Sequence, residues 1–213
     1  MSHIYRWHSQ LTASADGPVV GNALLHLQQS ELDSACGIHV AMMTLRILKL
    51  IGRHDAEKLS QTKEEPLASF WKRASPHYFT GSRPGLLASF FKPFHQQLTC
   101  CITKQNPAND AIQTLRADGL CIIGIRNRKF THWALAVGYG RREGHEKEHK
   151  LLVLDPSHEA LPMMTWNATL TTTANRQGLH RYETAAGDCK VYFDTALLIL
   201  PNIDELEVDL DVQ

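Results

Sequence analysis

The chain has 213 residues, 43% of them apolar and 21% charged, with 22 basic and 22 acidic residues and no net formal charge. That length and composition suit one globular domain, expected to span 1–213, and the charge balance gives no basis for a nucleic-acid or acidic-membrane partner. No stretch approaches the roughly 18 apolar residues that cross a bilayer. The opening MSHIYRWHSQLTASADG lacks the continuous apolar run of a secretory signal. Five scattered cysteines, an odd number, do not read as a disulfide framework. The expected location is therefore the cytoplasm, or another cell reached by a signal-peptide-independent route.

In chain order, residues 1–22 read as an irregular lead-in. Residues 37–51 are apolar nearly all round, which predicts a helix buried on most sides and stopped by Gly52. Residues 55–73 read as a short surface helix. Ser82 and Pro84 look like a helix entrance, with Ser82 as cap and Pro84 in the first turn. A strand is expected over 98–103 and a helix over 107–118, ended by Gly119. The period then changes. LCIIGI, WALAVGYG and KLLVLD are short apolar runs between charged loops, and KVYFDTALLIL follows near the end, so all four read as buried strands. Residues 158–188 are polar and Thr-rich without clear periodicity, and 203–213 form an acidic tail. With helices first and mostly antiparallel strands after them, the expected class is α+β.

Cys36 stands at the entrance of the buried helix. The partial positive charge and unpaired N–H groups of a helix N-terminus stabilise a thiolate, and the backbone N–H of Cys36 could donate to an oxyanion. A buried structural cysteine is the plainer reading. His132 heads an apolar strand, which would hold an imidazole rigidly for proton transfer; a histidine satisfied at a strand edge is the alternative. Asp155 ends the next strand, ahead of Pro156. Antiparallel pairing would bring it near His132, where a carboxylate fixes the tautomer, although turn aspartates before proline are common. A side-chain amide from Gln28 or Gln29 could give a second oxyanion donor, with exposed loop glutamines as the alternative. Should Asp155 lie out of reach, Asn167 and Asp188 are the next candidate orienters.

The stretch QQSELDSACGIHVAM resembles the nucleophile region of the bacterial double-glycine peptidases, papain-like cysteine peptidases that trim bacteriocin leader peptides. The order helix, Gly, apolar strand, His-headed strand and strand ending in Asp-Pro is similar as well, over residues 25 to 160. The resemblance implies a papain-like fold, a helical half with the buried nucleophile helix packed on an antiparallel β-sheet. It implies Cys36 as nucleophile, His132 as base and then acid, Asp155 as orienter, and a glutamine, Gln29 in preference to Gln28, at the oxyanion hole. Two departures stand out: Ala35 replaces an Asp before the Cys, and the glutamines lie one or two positions further upstream. The resemblance also implies peptide-bond cleavage after Gly-Gly or Gly-Ala, with no metal or cofactor. The protein would act as a stand-alone processing peptidase or as an antibacterial effector held by a dedicated inhibitor protein. The other readings are a thiol-dependent acyltransferase or deamidase, and a non-catalytic leader-peptide-binding module.

Other signals carry less. The run His145-Glu146-Lys147-Glu148-His149 fits a zinc-peptidase pattern, but its flanks predict a solvated hairpin tip rather than the helix such a site needs. Cys100 and Cys101 are adjacent in a strand and point to opposite faces, so they are poor co-ligands and are expected half-buried. Cys121 and Cys189 read as core, and Trp133 as packing beside His132.

Overall fold

Main-chain pairing, more than apolar content, decides how the chain begins. The computed structural model describes residues 2–30, 32–144 and 148–202. Within the expected lead-in lie β1 (His3–Trp7), β2 (Leu11–Ser14) and β3 (Gly17–Val20), and β4 (Ala23–Leu24) completes a small antiparallel sheet with β2 and β3. β1 is almost wholly exposed and adds itself to the edge of a later strand. An edge strand held by its ladder needs no apolar face, so its sequence carries no run to find.

Next come α1 (Cys36–Ile47), α2 (Arg53–Glu57), α3 (Leu67–Ala74), α4 (Pro84–Phe90), β5 (Leu98–Thr103) and α5 (Pro107–Arg116). α1 stops at Ile47, short of the apolar run, because Lys49 turns into the left-handed region at φ 57°. The Leu50 amide then returns to the Leu45 carbonyl at 2.9 Å. Gly52 caps the start of α2 instead of ending α1, its N–H bonded to Asp55 Oδ2 at 2.7 Å. The expected surface helix over 55–73 is divided between α2 and α3, and α3 buries Leu67, Phe70 and Ala74.

The remaining strands are β6 (Leu120–Arg126), β7 (Thr131–Arg142), β8 (Glu148–Leu154), β9 (Ala168–Thr171), β10 (His180–Thr184) and β11 (Gly187–Pro201). Here the expectation of an α+β, papain-like architecture is overturned. β7, β6, β11, β10, β9 and β8 pair in that order, all antiparallel, and β8 returns to pair with β7. The result is a mostly β protein built on a closed six-stranded barrel, with helix in 26% of the described residues. What closes the barrel is the polar stretch 158–188, from which no strand was expected. β9 turns Ala168 and Leu170 inward and β10 turns His180 and Tyr182 inward. Alternation with so few inward residues leaves no apolar run, yet it suffices for two short strands whose neighbours bury them.

Period two divides the barrel strands between two cores. Cys121, Ile123 and Ile125 of β6 join Ala134, Val153, Leu170, Tyr182 and Phe193 inside the barrel, where α5 adds Ile112 and Leu115. Leu120 and Ile122 face outward with Leu135, Val137 and Leu154, against α1, α3 and α4. Phe70 packs edge-on against Phe90 and Phe94, at centroid distances of 6.0 and 6.4 Å. α1 lies across β7, which brings its N-terminus to the start of that strand.

β1 approaches β7 closely at Gly138, where a Cβ would sit 2.3 Å from the Arg6 carbonyl oxygen and 2.7 Å from Trp7 Cα. Both obstacles are backbone. Gly138→Ala is therefore expected to cost about 1–3 kcal/mol of stability, read as a lowered urea midpoint with an unchanged slope. An unaltered midpoint would mean that β1 docks less tightly than described.

Candidate active site

Cys36 is the first residue of α1, and Ala35, the residue before it, provides no side-chain cap. The approach is held from upstream by Asp33. Its Oδ1 accepts the Ala35 N–H at 2.9 Å, while its Oδ2 accepts the Ser30 N–H at 3.0 Å and the Ser30 hydroxyl at 2.8 Å. Gly37 lets the chain at Ser82 come close, since a Cβ there would meet Ser82 Cβ and Oγ at 3.2 Å. Ser82 does not cap α4, as the sequence suggested; Arg83 occupies the cap position. The Ser82 carbonyl instead accepts the Trp133 indole N–H at 2.7 Å, fastening the entrance of α4 to the start of β7.

His132 pairs with Ile125 across β6 and β7. Pairing of Leu135 with Leu154 brings the end of β8, and so Asp155, beside the start of β7. His132 Nε2 lies 2.7 Å from Asp155 Oδ1, and the two side chains retain 11% and 2% of their exposure. Cys36 and the ring line one cleft, and Cys36 counts with Asp155 among the groups that favour its charged form. With Nε2 committed to the carboxylate, Nδ1 is the ring nitrogen left for the thiol. Burial opposes the charged imidazolium, but Asp155, through its hydrogen bond and charge, together with the neighbouring Cys36 outweighs it, and His132 is raised from 6.5 to about 10.

Asp155 is held by more than His132. Oδ1 also accepts the Ser157 N–H at 2.7 Å, and Oδ2 accepts the Tyr182 hydroxyl at 2.5 Å. Burial alone would raise its pKa; the His132 bond and charge, then the Tyr182 and Ser157 bonds, lower it from 3.8 to about 2. The linkage signs follow. The depressed Asp155 stabilises the fold above about pH 3.8 and loses that contribution as pH falls through 2. The raised His132 contributes fully below about pH 6.5 and loses its share as pH rises through 10.

Of the two glutamines, Gln29 lines the same cleft as Cys36 and His132, a space of about 640 Å³ shared with Gly81, Ser82 and Trp133. Gln28 lines a different cavity, next to His39 and Arg46. Gln29 Nε2 donates to the Asp33 carbonyl at 2.8 Å, which leaves its second hydrogen uncommitted, and Oε1 is buried without a partner among the described residues.

Asn167 and Asp188 do not serve as orienters. Asn167 Oδ1 accepts the Asp155 N–H at 2.7 Å, and its Nδ2 donates to the carbonyls of Asp155, His158 and Glu159 at 2.9, 3.1 and 3.1 Å, so it locks the turn that carries Asp155. Asp188 pairs at the surface with Arg181 at 3.1 Å. Sequence reasoning missed Tyr182 and Ser157. The Ser157 bond is an Asx-type turn legible in Asp-Pro-Ser; Tyr182 could have been found in the alternation His180-x-Tyr182.

The other cysteines differ in setting. Cys121 is buried in the barrel, Cys100 is half-buried and pushed up to about 12 by burial and by Cys101, and Cys101 is exposed rather than half-buried. Cys189, read as core, is half-buried and lines a cavity that also borders Asp155. Of the zinc-type pattern, His145, Glu146 and Lys147 lie outside the described residues, as does the acidic tail 203–213. Among the described residues no group of three His, Cys, Asp or Glu could hold a metal ion, and no helix is long and apolar enough to cross a membrane. No protein-family model matches the chain, and no curated protein matches it either.

Proposed function

We propose that this protein is a cysteine peptidase that cleaves a peptide bond through a thioester on Cys36. The observation that carries the reading is the position of His132, on the wall of the cleft that holds Cys36 at the mouth of a buried helix and 2.7 Å from the buried Asp155. Nucleophile, base and orienter gathered in this way form the unit that nucleophilic hydrolysis requires.

In the first half-reaction Cys36 Sγ attacks the carbonyl carbon. The Cys36 N–H and the free hydrogen of the Gln29 amide stabilise the oxyanion. The C–N bond breaks and His132 gives its Nδ1 proton to the departing amine, leaving a thioester. In the second, water attacks that carbonyl, His132 takes the water proton, the C–S bond breaks, and Sγ departs as thiolate beside the regenerated imidazolium. Asp155 holds the ring in one orientation throughout and stabilises its positive charge. The resemblance noted at residues 25 to 160 supports small residues, Gly-Gly or Gly-Ala, on the acyl side.

Incubation with peptides containing internal Gly-Gly and Gly-Ala bonds, followed by mass spectrometry, tests the reading. Cleavage is expected to survive a metal chelator and to stop after iodoacetamide. Loss on chelation with recovery on adding zinc would instead favour metal hydrolysis. Incorporation of a labelled amine in place of hydrolysis would favour acyl transfer.

A further inference from the structure

The Cys36 cleft ends at Thr131 and His132, and the same two residues border a second cavity of about 390 Å³ on the Asp155 side of the ring. We propose that this second cavity is the subsite for the residue on the leaving side of the scissile bond, and that it takes one apolar side chain. The proposal rests on the reading of Cys36 as nucleophile and His132 as acid.

The chemistry fixes which half of the substrate goes where. Both oxyanion donors, the Cys36 N–H and the Gln29 amide, belong to the Cys36 cleft, so the acyl half lies there. The leaving nitrogen takes its proton from His132, so the chain after the scissile bond must pass over the imidazole. The cavity into which it then runs is walled by Phe130, Ser157, Tyr182, Ala186 and Cys189.

Its polarity follows from who is already paired. At the base, the Tyr182 hydroxyl and the Asp155 carboxylate satisfy each other at 2.5 Å. At the rim, Asp188 is bonded to Arg181 at 3.1 Å. His158, also at the rim, stands 3.9 Å from Asp155 Oδ2. A polar substrate side chain would find Tyr182 and Asp155 bonded to each other and Asp188 to Arg181, whereas an apolar one gains the transfer free energy of leaving water. Phe130 packs edge-on against the His132 ring at a centroid distance of 6.5 Å and leaves 37% of its surface exposed, an apolar wall of the cavity. Nothing lies within 4 Å of the place a Cβ would take on the exposed Gly187, so the β10–β11 turn leaves its side of the cavity open. A cavity of about 390 Å³ has ample room for a side chain the size of Leu or Phe.

The test uses two peptides identical up to the cleaved bond and differing only in the next residue, Gly or Phe. Wild type is expected to show kcat/KM about tenfold or more higher for the Phe peptide. Ala186→Trp, in an exposed turn, puts an indole into the cavity and should abolish that preference, read as a Phe-to-Gly ratio of kcat/KM near one. Phe130→Ala should reduce the preference. An equal rate on both peptides in wild type, or a preference unchanged in Ala186→Trp, overturns the subsite. If wild type cleaves neither peptide, affinity for Cys36→Ala decides separately. Tighter binding of the Phe peptide, lost when Ala186→Trp is added, keeps the subsite and places the failure in the proposed chemistry; equal binding overturns the subsite.

Discussion

Replacing Cys36 by alanine is expected to lower peptide cleavage by about 10⁴-fold or more, to the level of uncatalysed loss in practice. No other thiol stands at His132: Cys121 is inside the barrel, Cys100 and Cys101 are on β5, and Cys189 lines the cavity on the far side of the ring. The fold should persist, because the change removes one sulfur at a helix end whose loop is held by Asp33, Ser30 and Gln29. Circular dichroism and the urea midpoint check the fold, and the rate is measured on the same sample. Residual cleavage above about one per cent of wild type, far more than loss of such a nucleophile allows, would put the nucleophile elsewhere.

Asp155→Asn is expected to lower the rate by about 10²- to 10⁴-fold, less than Cys36→Ala, because Asp155 orients and stabilises the imidazole without forming a bond to substrate. The depth of burial places the effect toward the upper end. Three donors converge on this carboxylate: His132 Nε2–H, the Ser157 N–H and the Tyr182 hydroxyl. An amide has one acceptor oxygen for them and turns an N–H toward one. The variant also carries a pH signature. With His132 raised to about 10, the alkaline limb of the rate profile belongs near that pH in wild type. Removing the Asp155 charge removes a main cause of the rise, so the limb should move to lower pH. A rate loss with an unmoved limb would mean that Asp155 holds the turn and not the charge of His132.

The residues of the candidate site were legible in the sequence because each sits where a strong local signal changes. Cys36 opens the longest apolar run, His132 opens WALAVGYG, and Asp155 closes KLLVLD. The meeting of His132 and Asp155 required only that β7 and β8 pair, which the hydrophilic connection between them suggested; that of Cys36 with His132 required α1 to pack across β7. The architecture was not legible in the same way. Closure of the barrel depends on β9 and β10, whose inward faces amount to Ala168, Leu170, His180 and Tyr182. A polar segment with so few buried positions differs little from a loop until its neighbours are known. β1 is harder still, since its stability comes from its ladder with β7 and from Tyr5 and Trp7 resting on Trp166 at 5.4 and 5.7 Å, a partner far away in sequence. The support of Asp155 by Tyr182 was hidden for the same reason: it crosses the barrel from a strand that the sequence does not announce.

The central claim, that His132 makes Cys36 a nucleophile, is tested most directly by competition between thiols. Cys36 keeps 8% of its surface exposed while Cys101 is exposed, so access alone favours Cys101. Treatment with less than one equivalent of iodoacetamide at neutral pH, followed by peptide mapping, reads which thiol reacts first. The account predicts carbamidomethylation at Cys36 ahead of Cys101 in wild type, and reversal of that order in His132→Ala. Label on Cys101 with Cys36 untouched in wild type would contradict it.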